Sequence, residues 1–217
     1  MPLHAELAFF NGPIHTQTDQ TAQALAVAHG LVAPVGGEGA VRALVGERTR
    51  VVDLNGRALC PGFVDAHTHL LRTGMERTLY LDADAPSLDE VLQRVEAEAK
   101  GREPGQWVVG RGWDDGRWAG TGYPSRADLD RVAPDHPVAL IRVCGHILSV
   151  NAKALELVSV KDDAHTVDRE RGWLREESAW GFLDRIEPDL ATRLEALKAG
   201  IAHAHACGIT QIHDIAD

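Results

Sequence analysis

Between Leu7 and Cys60 the apolar positions come in short runs, LAFF, ALAVA and VVDL, each cut off by a turn pair: Asn11-Gly12, His29-Gly30 and Asn55-Gly56. Such pairs supply the positive φ angles that tight hairpins need, so this stretch predicts a meander of short strands with one short helix near EGAVRALVG. After Cys60 the rhythm changes. Strands at PGFVDA, QWVVG, PVALIRV and GITQIH alternate with longer helical segments, the pattern of βαβ units around a parallel sheet. In SLDEVLQRVEAEAKG, Ser87 and Glu90 form a capping box, Leu88, Val91, Leu92, Val95 and Ala99 mark one face, and Gly101 ends the helix as a C′ residue. A second helix starts after Pro188, carries Leu190, Leu194, Leu197 and Ile201 on one side, and stops at Gly208. The polar, poorly periodic stretch over 157–180 reads as an insertion with a small hairpin. The chain thus divides into a β-domain over 1–60 and an α/β region over 61–217.

The run PGFVDAHTHL ends in two histidines one residue apart. On a strand, residues i and i+2 face the same side, so His67 and His69 can aim both rings at one point. The competing reading is two polar residues where a strand meets water. Three features favour a metal pair: the apolar run before them, opened by Pro61-Gly62, suits a buried parallel strand; it follows a separate β-domain; and Asp65 is placed to orient a ring nitrogen. The second pair, His203 and His205, falls on a helix, where i and i+2 diverge by about 200°. It cannot chelate one ion.

Composition narrows the partners. With 217 residues, 44% of them hydrophobic, the chain can bury a real core. Its 22 basic and 32 acidic residues give a net charge of −10, without a Lys/Arg block, which speaks against a nucleic-acid binder. Cys60, Cys144 and Cys207 are far apart and form no C-x-x-C, so neither a disulfide framework nor a thiolate cluster is expected. No stretch reaches the ~18 apolar residues of a membrane span, and the start lacks a leader pattern. A cytoplasmic, soluble protein is the expectation.

DLNGRALCPGFVDAHTHL resembles the signature of the amidohydrolase superfamily, and WVVGRGWDD, PSRADLD, RVCGHILSVNAKAL, GWLREESA and GITQIHD are similar, in order, to landmarks of its family 3 branch. The resemblance implies a (β/α)8 TIM-type barrel preceded by a small β-sandwich-like domain, and a divalent metal, zinc above all, held by His67 and His69. It implies hydrolysis of an amide or formamide-like C–N bond by metal-activated water. It also implies a bridging carboxylate or carboxylated lysine, two later histidines and a late aspartate as general base. Counted along the chain GITQIH is the fourth strand, and a whole barrel takes ~250 residues. The expectation is therefore the first four β/α units of such a barrel, both domains incomplete. The alternative is an inactive fragment or assembly partner. A homodimer, or a complementing C-terminal half, is the partner expected besides a small amide substrate.

Further candidates follow from their places in these landmarks. Glu176 matches one landmark, while Asp214, beside His213, lies at the end of a strand; either is a candidate bridging carboxylate, and Glu176 is equally readable as a solvated charge. His146, after the third strand, either meets substrate and polarises its carbonyl or is a structural histidine. Trp113, Asp114 and Asp115 are implied as substrate-pocket residues, with plain packing the competing reading for Trp113. Asn151 is read as a helix cap, and Cys144 as a buried thiol.

Overall fold

A computed structural model describes residues 4–17, 21–118, 120, 122–161 and 163–215. Two compact units emerge, Met1–Asp65 with Gly208–Ile212, and Ala66–Cys207 with His213–Asp217.

The first unit is built on β1 (Leu7–Phe10), β2 (Ile14–His15), β3 (Thr21–Ala22), β4 (Ala24–Ala28), β5 (Leu31–Gly36), α1 (Glu38–Arg42) and β6 (Arg50–Asp53). Its main sheet has the order β5-β4-β1-β6, and β2 pairs with β3. His29 and Gly30 turn β4 into β5 at φ 54° and 71°, as the sequence predicts for a tight hairpin. The meander ends there. β6 joins β1 in parallel, and a parallel neighbour needs a crossover, which α1 and the loop after it supply. Alternate residues of β1 and β4 point inward, so Ala8, Phe10, Ala24 and Ala26 pack with Val41 of α1. On the opposite face of this sheet Phe9 and Leu25 pack with Ile14 and Ala22 of the β2–β3 pair, so the described residues of this unit hold a four-stranded and a two-stranded sheet with a second small core between them.

The second unit holds most of the α/β region. Its elements are β7 (Phe63–Thr68), α2 (Leu70–Thr78), β8 (Leu81–Asp82), α3 (Leu88–Lys100), β9 (Val108–Trp113), α4 (Arg126–Val132), β10 (Val138–Arg142), β11 (Ile147–Val150), α5 (Ala152–Leu157), β12 (Val167–Asp168), β13 (Trp173–Arg175), α6 (Glu177–Leu183), α7 (Leu190–Ala206) and β14 (Ile209–Asp214). The first residues of β7 and of β14 are grouped with the first unit. Six strands form one mixed sheet in the order β12-β13-β11-β10-β9-β8. VALIR of β10 is buried on both faces, as a continuous apolar run in a central strand should be. One core contains Val91, Leu92 and Val95 of α3 with Leu129 of α4; another contains Leu174, Ala179 and Phe182. Asn151 caps α5 as expected, through Ala154 N–H at 3.1 Å, and also binds Val138 N–H at 2.9 Å and the His136 carbonyl at 2.8 Å.

Five differences from the sequence reading follow. The stretch over 157–180 does contain the expected hairpin, β12–β13, but β13 also pairs with β11 and buries Leu174. It is a core element whose few inward residues are too sparse to show a period. Ser87 caps α3 by accepting from Glu90 N–H at 3.2 Å, yet the Glu90 carboxylate turns to Arg94, and Gly101 closes the helix at φ −86°, outside the left-handed region. α7 does not bury its leucine side; Leu190 is 74% exposed, and the helix packs through Ala196 and Gly200. Finally, β14 is hydrogen-bonded directly to β7 as a two-stranded sheet, apart from β9 and β10. Phe63 N–H reaches the Gly208 carbonyl and Ile215 N–H the Thr68 carbonyl, both at 2.8 Å, so the two strands run parallel. GITQIH is thus the immediate neighbour of the first strand rather than the fourth in a row, and no closed barrel forms among the described residues. β7 is also not the buried strand expected: Phe63 is 59% and Val64 54% exposed.

Small residues set the approach of α2 and α7. A Cβ on Gly74 would lie 1.8 Å from the Ala196 carbonyl oxygen, and one on Gly200 2.6 Å from that of Leu70. Backbone cannot yield as a flexible side chain would. Gly74→Ala is expected to destabilise the second unit by roughly 1–3 kcal/mol, the usual cost of overpacking, in urea unfolding. An unchanged midpoint would contradict this close packing.

Candidate metal centre

The period of two along β7 puts Asp65 and His67 on one side of the strand, and His69 follows where the chain leaves it. His69 occupies the N-cap position of α2 at φ −118° and ψ 81°. The two imidazoles meet edge to face with centroids 5.6 Å apart. Two rings on one tetrahedral ion, each bonded at ~2.0–2.1 Å, bring their centroids to roughly 5 Å, so the pair fits a shared metal in both donor chemistry and spacing. Neutral imidazole suits zinc and its neighbours. In number the fit is partial: among the described residues no three His, Cys, Asp or Glu side chains converge.

Of the two candidate bridging carboxylates, one lies beside this pair and one does not. Asp214 accepts Leu70 N–H at 3.0 Å, so its charge meets the start of α2, where the unsatisfied N–H groups favour an anion. Glu176 instead accepts from His146: Oε2 lies 2.9 Å from Nδ1. These two candidates, unconnected in the sequence reading, form a contact of their own. Glu176 sits at φ 49° and ψ −128°, a region that glycine populates and other residues rarely do.

Trp113 is fully buried, its indole N–H bonded to the Leu140 carbonyl at 3.0 Å and its ring stacked on Trp118. It therefore takes the packing role rather than that of a pocket residue. Asp114 caps the following turn through Gly116 N–H, and Asp114 and Asp115 both pair with Arg142, at 3.3 and 2.8 Å. Cys144 is exposed, not the buried thiol expected. Burial pushes its thiol up, but His146 N–H and the Arg142 guanidinium outweigh that and hold it below its usual range.

A cavity of about 710 Å³ opens within the second unit, lined by Thr73 and Glu76 of α2, Tyr80, Arg111 of β9, Val143 and His203. Thr73 N–H binds the His69 carbonyl at 2.9 Å, which sets the cavity wall one helical turn beyond the histidine pair. Arg111 pairs with Glu76 at 2.6 Å, and burial holds the Tyr80 phenol above its ordinary value and hence neutral. The sequence reading missed the Arg111–Glu76 pair and Trp180, which packs on His146, because nothing in a linear pattern joins positions so far apart.

Known proteins give this geometry a lineage. Residues 50–217 match the model of the amidohydrolase family. The chain is 35% identical over 209 residues to an N-substituted formamide deformylase of Arthrobacter pascens, covering 92% of this chain and 36% of that protein. It is 30% identical over 158 residues to the Arabidopsis thaliana protein LONG AFTER FAR-RED 3, covering 72% of this chain and 27% of the relative. In structure it is similar to a metal-dependent hydrolase of Pyrococcus horikoshii, with a TM-score of 0.75 and 26% identity over 97% of this chain and 43% of the other. A mixed α/β chain that ends a strand in H-x-H thus finds metal-dependent hydrolases as its likeness, and the protein belongs to the amidohydrolase family. It spans about a third or less of these curated relatives' length.

Two outcomes test the local chemistry. A thiol held low is more fully thiolate at neutral pH, so Cys144 should alkylate with iodoacetamide faster than Cys60 and Cys207, and Arg142→Ala should slow it. Equal rates for all three would contradict the assigned cause. Glu176→Gly removes backbone strain of ~1–3 kcal/mol at the entropic cost of glycine, so stability should be level or higher. A loss above about 1 kcal/mol would show that the backbone there is unstrained.

Proposed function

We propose that this chain carries the metal-binding start of a hydrolase that cleaves the C–N bond of a small amide or formamide-like substrate. The observation that supports the reading most is the His67–His69 pair, two imidazoles whose rings meet 5.6 Å apart at the end of β7. Membership of the amidohydrolase family and the formamide deformylase relative point to the same bond class. His67 and His69 would hold the divalent ion, zinc by donor type, which when bound lowers the pKa of water to about 7 and polarises a carbonyl. Asp214 fixes the start of α2 and so the backbone that carries His69. The cavity beside Thr73 receives the substrate, its walls combining the paired charges of Arg111 and Glu76 with the apolar surface of Leu81 and Val143.

One observation favours a second reading for the chain by itself. With no three donors converging among the described residues, it binds metal weakly and does not turn over alone, acting as an inactive part or assembly partner. Both readings share the histidine pair and differ in catalysis.

Zinc titration of the metal-stripped chain should show one site that EDTA empties. His67→Ala or His69→Ala should weaken it beyond the roughly 10- to 100-fold that loss of an outer-shell partner costs. Binding unchanged in both variants would sink the site. The isolated chain should hydrolyse simple formamides no faster than free zinc does, and chelator-sensitive turnover above that control would establish the first reading.

A further inference from the structure

The cavity of the second unit lies at one end of three parallel strands. β8 and β10 both run parallel to β9, and Leu81 of β8, Arg111 near the end of β9 and Val143 just after β10 all line it. Ligands of open α/β sheets bind outside the carboxyl ends of the strands, which is where this space opens. α2 closes the other side with Glu76 and Arg77, and Tyr80 follows just beyond the helix.

The acids of this wall are matched, and its donors are not. Glu76 is ion-paired with Arg111 at 2.6 Å; Asp82 accepts Asp84 N–H at 3.0 Å and lies 3.8 Å from Arg94 of α3; and Glu187, near Tyr80, pairs with Arg193 at 2.7 Å. Arg111 has a side chain only 19% exposed, yet none of its N–H groups donates a hydrogen bond among the described residues. Both of its Nη atoms stand 3.6 Å from where a Cβ on Gly145 would lie, so the missing side chain leaves the guanidinium fork uncovered. The Arg77 guanidinium and the Tyr80 hydroxyl also lack hydrogen-bond partners among the described residues, and burial keeps the phenol protonated, hence a donor. The wall therefore carries a surplus of positive charge and of unused donors, some of them half-buried, where an unmade hydrogen bond is costly.

We infer that this cavity binds a carboxylate of the substrate, remote from the bond that breaks, with Arg111 as the residue that selects it and Arg77 and Tyr80 as supporting donors. The inference rests on the hydrolytic reading above and narrows its substrate to an amide that carries an acid. A planar guanidinium presents parallel N–H groups that match the two oxygens of a carboxylate. Leu81 and Val143 supply apolar surface for a short methylene chain leading to it. Glu76, the partner of Arg111, lies about 10 Å along α2 from His69, two turns of helix. An acid beside the amide nitrogen falls short of that span; one at the end of a hexanoate chain reaches it.

Binding to the metal-stripped chain reads the cavity alone, so failure here is separable from failure of the histidine site, which zinc titration reports. The probes are N-formyl-6-aminohexanoate and its neutral carboxamide, equal in length, titrated by calorimetry at low salt. The acid should bind roughly ten-fold or more tightly than the amide, the worth of a charge-assisted hydrogen bond, and the margin should shrink as salt is added. Arg111→Gln should abolish the preference, and Arg77→Gln should reduce it by up to about five-fold, as for an exposed charge. Glu76→Gln separates selection from mere support of the fold. By releasing Arg111 it should tighten the acid by roughly three- to five-fold and leave the amide unchanged, whereas loss of a structural ion pair would weaken both. Equal binding of acid and amide, no binding of the acid, or an acid affinity that Glu76→Gln lowers or leaves unchanged would overturn the proposal.

Discussion

Everything in the candidate site depends on the two-residue repeat of one extended segment. β7 keeps Asp65 and His67 on one side and delivers His69 at its end, so any slip of register by one residue would part the imidazoles. That register is held by β14, through the bonds at Phe63 and Thr68, and by Asp214 on the first N–H of α2. The candidate metal pair is therefore only as well defined as a single parallel strand pair, whose members lie about 140 residues apart in sequence.

The intervening chain meets that requirement through packing rather than by more strands. α2 leaves the site and α7 returns to it, and glycines at 74 and 200 let the two helices approach until backbone meets backbone. Between them the six-stranded sheet carries its own cores, with β10 buried on both faces. Strain is concentrated elsewhere, at Glu176, where a carboxylate is kept at a backbone position that glycine would occupy more easily. Such a residue persists when its surroundings fix it, as the bonds from His146, Ala179 and Trp180 do here.

What could be read from the sequence follows from which forces are local. Turn pairs, the Ser87 and Asn151 caps, and the strands at PGFVDA, QWVVG, PVALIRV and GITQIH all rest on short-range chemistry, and the structure places each near its expected position. The His67–His69 pair was legible for the same reason, since period two is a property of the strand itself. Partner choice was not. Counting strands along the chain made GITQIH the fourth, whereas hydrogen bonding makes it the neighbour of β7; no local signal says which strand a segment will join. The leucine side of α7 looked like a core stripe by periodicity, but the small residues Ala196 and Gly200 won the contact because they allow closer helix packing. His146 and Glu176 were each visible as candidates. Their union needed the β11–β13 register, which no spacing rule encodes.

The central claim is that His67 and His69 bind one ion together. X-ray absorption of the chain loaded with a single equivalent of zinc tests it most directly. The account predicts a first shell with two imidazole nitrogens at ~2.0–2.1 Å, reduced to one in either His→Ala variant. A spectrum without imidazole scattering, or one unchanged by both substitutions, would contradict it.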